Sequence, residues 1–304
     1  NLTNINISPL HEVFDKTCER AIARGMRVTG SELIGLVPKK VLIDAGKYFL
    51  RKQKRSTGID ENEIINIAIK TLGLDELAPF KVEERIIEYM LESNSKKELV
   101  NMSLNQFVNE TSSESPAPGG GSISAYCGAM GVALGTMVAN LSAHKRGWDE
   151  RWEEFSNWAE KGISYQDTLL KLVDEDTIAF NKIMDAFRLP KSTESEKRAR
   201  KKTIQDATKY AINTPFKVME TSYNSMQLMK AMAQIGNPNS VTDAGVGALC
   251  ARTAVIGAFL NVKINCGDCD DKKFVSDILQ RGEELVSKAC KLEDEIIEIT
   301  KSKI

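Results

Sequence analysis

From Ser103 to Ile304 the apolar residues recur every three or four positions, which predicts helices nearly end to end. The expected segments are 104–113, 122–143, 149–187, 194–234, 240–264 and 271–303, with Gly162 and Pro215 as the places where the longer ones break. Upstream the pattern changes. "NLTNINIS" carries Leu2, Ile5 and Ile7 among Thr, Asn and Ser, a strand-like run, and "MRVTGSELIGLVP" reads as a second strand with a loop. "LHEVFDKTCERAIARG", "KKVLIDAGKYFLRK" and "DENEIINIAIKTLG" have the spacing of amphipathic helices. Between the two regimes, "LESNSKKELVN" is polar and charged, a linker at 92–102. The expected class is therefore mainly α: a small α/β part over 1–91, then an all-helical bundle over 103–304.

Composition narrows this little, and mostly by exclusion. A length of 304 residues suits two domains, and a net charge of −1 points to neither a nucleic-acid partner nor an anionic membrane. The two histidines, His11 and His144, lie far apart, so a histidine-rich metal site is not expected. Six scattered cysteines are too sparse for a disulfide scaffold and suit a reducing cytoplasm. The lone CxxC, Cys266 to Cys269, reads as a polar loop without metal or redox work. No signal peptide opens the chain, and its start at Asn1 in place of Met reads as a fragment. Ile123–Ala143 carries no charge and is long enough for a membrane span. It is built from Gly, Ala, Ser and Met and includes Asn140 and Ser142, so a buried helix is expected, with no membrane partner.

Four stretches could carry chemistry. "SPAPGGGS" sets Gly119, Gly120 and Gly121 before Ser122, a good helix N-cap. Such glycines permit positive φ, and a helix N-terminus offers free N–H groups to an anion. A tight entry turn for close helix packing explains them as well, and local chemistry leans that way. In "LVDEDTIAF", helical spacing puts Asp176 on the apolar stripe of Leu172, Val173, Ala179 and Phe180, while Asp174 leans to solvent. A carboxylate on such a stripe is either a structural cap or an acid/base group with a raised pKa, and geometry leaves both open. Along "GVGALCARTAVIGAFLNVKIN" a small-residue face ends in Asn261 and Asn265, two amides able to bond a heterocycle edge. "GNPNSVTD" before it brings Asn237 and Asp243, where turn and cap duties are the commoner explanation. Lys145 and Arg146 follow the glycine helix, to complement its dipole or to grip a carboxylate-rich ligand.

Taken together, "SPAPGGGS", "LVDEDTIAF", "RLPKSTESEK", "NTPFKVMET", "GNPNSVTD" and "GAFLNVKIN" resemble, in order, the cyclodeaminase domain of the formiminotransferase-cyclodeaminase family. "VTGSELIGLVPKKVLIDA", "LGLDELAPF" and "ERIIEYM" are similar to the closing part of its formiminotransferase domain, so 1–91 would be a partial C-terminal subdomain of it. The resemblance implies conversion of formiminotetrahydrofolate to methenyltetrahydrofolate and ammonia, in histidine degradation. The family's catalytic aspartate falls on Asp176. The glycine run, Ser122 and Asn237 would bind the folate, Asp243, Asn261 and Asn265 would hold its pterin side, and Lys145 and Arg146 its glutamate tail. It further implies a homodimer or higher homo-oligomer, a site near the subunit interface, and a folate substrate, polyglutamylated or not. No permanent cofactor, metal or nucleic acid is expected. The transferase's catalytic half has no counterpart here, so formiminotransferase activity is not expected of this chain alone. Methenyltetrahydrofolate cyclohydrolase is the alternative activity, and a non-catalytic folate-binding module the alternative class.

Overall fold

The structure, a computed structural model, describes residues 4–92 and 99–304. Its helices are α1 (Leu10–Ile22), α2 (Lys39–Lys52), α3 (Glu61–Leu72), α4 (Val82–Arg85), α5 (Ile87–Glu92), α6 (Leu104–Thr111), α7 (Gly120–Ala143), α8 (Trp152–Arg188), α9 (Glu194–Ile235), α10 (Val241–Cys266) and α11 (Lys272–Lys301). The chain divides into two units, one of 1–96 with 143–160 and one of 97–142 with 161–304.

In the first unit α2 and α3 pack through Val41, Leu42, Ala45, Phe49, Ile65 and Leu72. Here the α/β expectation is not met. Among the described residues the only β pairing is one isolated parallel bridge, Val37 with Ile86. The alternation in "MRVTGSELIGLVP" marks an extended segment. A strand also needs a neighbour to take its N–H and C=O groups along its length; here Ser31 donates to the Gly73 carbonyl and Val37 is bonded to Arg85 and Ile87, too few bonds for a ladder. The first three residues of "NLTNINIS" lie outside the described residues, as does most of the expected linker.

The second unit is helical, with α9, α10 and α11 mutually packed. Its starts are set by local chemistry. Ser103 with Gln106 and Thr193 with Glu196 form capping boxes before α6 and α9, and Asp271 caps α11 through the Phe274 amide. The observed bounds lie within a few residues of those expected, but neither long helix breaks. A Cβ on Gly162 would overlap the Thr136 hydroxyl and approach Leu228 to 2.9 Å, so this glycine serves packing inside an intact α8. Pro215 is buried inside an equally continuous α9.

The small face of α10 works as its composition suggested. Ala251, Ala254 and Ala258 are fully buried, and a Cβ on Gly131 of α7 would stand 2.7 Å from the Gly247 carbonyl. By length and composition alone, α7 and the run Pro238–Cys266 could each cross a membrane, yet 61% and 50% of their apolar stretches are buried in the protein. The CxxC spans the turn after α10, with Gly267 and Asp268 exposed. Cys266 ends α10, both thiols are buried, and burial pushes the Cys266 thiol up.

Candidate functional site

Asp176 lies on α8, on the same face as Ala179, Phe180 and Ile183. With the Pro116–Gly120 loop, Ala211 of α9, and Asn261 and Asn265 of α10, these residues enclose a cavity of about 170 Å³ in the second unit. A larger, more open groove of about 550 Å³ lies between α8 and α9, with Lys171, Glu175, Tyr210 and Lys217 among its lining residues. The smaller cavity is the one that holds a half-buried acid among convergent polar groups, the usual mark of a site.

The start of α7 explains how that acid is held. Gly119 takes the capping position, its carbonyl accepting from the Ile123 amide at 3.0 Å. Ser122 is therefore inside the helix and is not its N-cap. Its backbone N–H, one of the first-turn donors without an intrahelical acceptor, donates to Asp176 Oδ2 at 3.1 Å. Its hydroxyl donates to the Val173 carbonyl at 2.8 Å and lies 3.3 Å from the same Oδ2. The hydroxyl has one proton, which the shorter bond claims. Both protonation states of Asp176 then find a partner on Ser122. The carboxylate takes the N–H, and the neutral acid can donate to the hydroxyl oxygen.

Burial pushes the Asp176 pKa above its ordinary value, and the two Ser122 bonds only partly offset it. The two sequence readings of this residue thus describe one group. Asp176 caps α7 from a neighbouring helix and is also an acid at a cavity wall. Asp174 is bound elsewhere, accepting the Leu99 amide at 2.6 Å.

None of Gly119, Gly120 and Gly121 has a positive φ among the described residues. They are required for proximity. A Cβ on Gly121 would collide with the Asp176 carboxylate, and one on Gly120 would stand 3.1 Å from Asn261 Nδ2. Gly119 and Gly120 line the cavity, whereas Gly121 and Ser122 support the acid from behind. Asn261 donates its Nδ2 to the Gly257 carbonyl at 2.9 Å, and Asn265 donates to the Ala211 carbonyl at 2.8 Å.

The other expected contacts do not converge here. Asn237 caps the short 3-10 turn Pro238–Ser240 through the Asn239 amide. Asp243 lies in the first turn of α10, about five turns and about 27 Å before Asn261 along the axis. Sequence proximity within one helix does not place both ends at one cavity. Lys145 and Arg146 belong to the first unit, where Lys145 Nζ stands 4.3 Å from the centre of the Trp148 ring.

The structure adds a residue the sequence did not single out. Thr177 lines the cavity beside Asp176, and its buried Oγ1 has no hydrogen-bond partner. A buried hydroxyl without a partner is costly, and a ligand group would satisfy it. Its signal was its position next to an acid already on the apolar stripe. Among the described residues no cluster of three or more His, Cys, Asp and Glu side chains could hold a metal ion.

Residues 103–284 match the formiminotransferase-cyclodeaminase family, and residues 1–92 match the formiminotransferase domain. The formimidoyltransferase-cyclodeaminase of Gallus gallus is 37% identical over 290 residues, 95% of this chain and 53% of that protein. The chain thus spans about half the length of the two-function relatives it matches. A methenyltetrahydrofolate cyclohydrolase of Methylorubrum extorquens is 36% identical over 204 residues, 67% of this chain and 98% of its own. The crystal structure of a formiminotetrahydrofolate cyclodeaminase from Thermotoga maritima superposes with a TM-score of 0.60 at 26% identity, over 67% of this chain and 98% of that one.

Proposed function

The chain belongs to the formiminotransferase-cyclodeaminase family, and from that premise we propose that its second unit closes formiminotetrahydrofolate to methenyltetrahydrofolate with release of ammonia. The observation that carries this reading is Asp176, a half-buried acid with a raised pKa whose two protonation states both have a partner. In the reaction one folate nitrogen attacks the formimino carbon borne by its neighbour. The attacking nitrogen loses a proton, and the formimino nitrogen gains protons and leaves as ammonia. One group that can both take and give a proton serves both nitrogens. The two nitrogens sit on one molecule, so holding their geometry supplies much of the rate.

Asn261, Asn265 and Thr177 offer polar contacts for the folate's heterocyclic edge, and Phe180 and Ile183 an apolar wall. No contact for a glutamate tail is assigned to Lys145 or Arg146. The working form is a homo-oligomer in which the exposed apolar residues of α7 (Ile123, Met130, Met137, Leu141) and α10 (Val246, Leu249, Leu260, Ile264) meet those of a second copy.

The likeness to a cyclohydrolase that the chain matches almost from end to end keeps ring hydrolysis of the methenyl product as the second reading. One assay separates them. The purified chain, given formiminotetrahydrofolate, should release ammonia in step with methenyl product. Accelerated hydrolysis of supplied methenyltetrahydrofolate without ammonia release from the formimino compound transfers the reading to cyclohydrolase. Folate binding with neither reaction would make the unit a binding module.

A further inference from the structure

We infer that Pro215 is a positioning residue of the cavity, fixing the Asn265 amide by leaving the Ala211 carbonyl without its helical donor. In an α-helix the amide of residue 215 would donate to the carbonyl of residue 211. Proline has no N–H, yet α9 continues through it with Pro215 buried. A buried carbonyl needs a partner. Ala211 finds one on another helix, in Asn265 Nδ2 at 2.8 Å. Ala211 and Asn265 both line the cavity. A residue expected to break the helix instead frees an acceptor at the cavity wall.

This acceptor also decides which way the amide faces. A carbonyl only accepts, so the nitrogen of Asn265 must point at Ala211 and its Oδ1 away. Asn261 is fixed in the same sense by the Gly257 carbonyl. Neither Oδ1 is taken by these bonds, and both asparagines line a wall they share with Asp176. The ligand edge that suits this wall carries N–H donors, as an aminopyrimidinone or an amidine does. Only the naming of that edge as the pterin or formimino group rests on the folate reading; the link from Pro215 to Asn265 does not.

The test is Pro215→Ala, which restores the missing N–H and suits a helix interior. The Asn265 side-chain NH₂, followed by NMR hydrogen exchange, should lose protection in this variant. KM for formiminotetrahydrofolate should rise about tenfold, the worth of one hydrogen bond, with kcat within about twofold. Pro215→Ala combined with Asn265→Ala should behave as Asn265→Ala alone, because the proline acts through the asparagine. Unchanged Asn265 exchange in Pro215→Ala, or losses that add independently, would overturn the inference. The exchange measurement needs no substrate. A failure of the folate reading shows separately, as wild-type protein with neither activity on folate nor affinity for it.

Discussion

Two neighbouring side chains on α8 carry the sharpest expectations. Asp176→Asn keeps an acceptor for the Ser122 amide but removes the proton, so kcat should fall about 10²–10⁴-fold with KM little changed. Asp174→Asn keeps an acceptor for the Leu99 amide away from the cavity, and its loss should stay under about tenfold. The pKa of Asp176 gives this a stability signature. Unfolded, the group ionises near 3.8; folded, burial raises that value. Between the two values the folded chain keeps a proton the unfolded chain has released, so stability falls as pH rises through the window. Above the folded pKa the full cost of the partly desolvated charge is present. Asp176→Asn carries no such cost, so at neutral pH it should melt no lower than wild type, with any gap closing as pH falls to 3.8. A much lower melting temperature with activity intact would make Asp176 a cap alone. Thr177→Val removes an unpartnered hydroxyl at constant shape. It should preserve thermal stability while raising KM by about tenfold, and an unchanged KM would leave that hydroxyl without a ligand.

At the scale of elements, the start of α7 shows glycine used for proximity. Gly121→Ala gains helix propensity, worth about 1 kcal/mol, but pushes the Asp176 carboxylate off the Ser122 amide. Melting should change little while kcat drops at least about tenfold, since the acid is displaced and not removed. At Gly120 the neighbour is the Asn261 amide, so Gly120→Val should raise KM more than it lowers kcat. Equal effects at both positions in a kinetic comparison would mean that the run is only an entry turn. Gly162 and Pro215 teach the same lesson about breakers. Packing of α8 and α9 holds both helices through residues that local propensity would use to end them.

At the scale of the whole molecule, α10 is buried along its small-residue face and open along another, where Leu260 is 63% and Ile264 75% exposed. The proposed oligomer covers these side chains. Leu260→Glu with Ile264→Glu should convert an associated species to monomer in sedimentation, with activity lost in parallel if the cavity needs the second copy. Monomeric wild type at micromolar concentration, or a variant that stays associated, would sink that arrangement.

What the sequence determined by itself was whatever depends on near neighbours. Periodicity marked the helices of the second unit to within a few residues, because side chains three and four apart share a face wherever the helix packs. The same geometry set Asp176 on an apolar stripe before any partner was known. Contacts between distant segments were decided only by the tertiary structure. The Ser122 amide on Asp176 and the Ala211 carbonyl taken by Asn265 each join positions that no local spacing links, and only the packing left the Thr177 hydroxyl without a partner. Asn237 and Asp243 had the right chemistry at the wrong end of a rigid rod. The alternating segments of the first unit could not become a sheet by pattern alone, because a strand is completed by its neighbour's hydrogen bonds and a helix by its own.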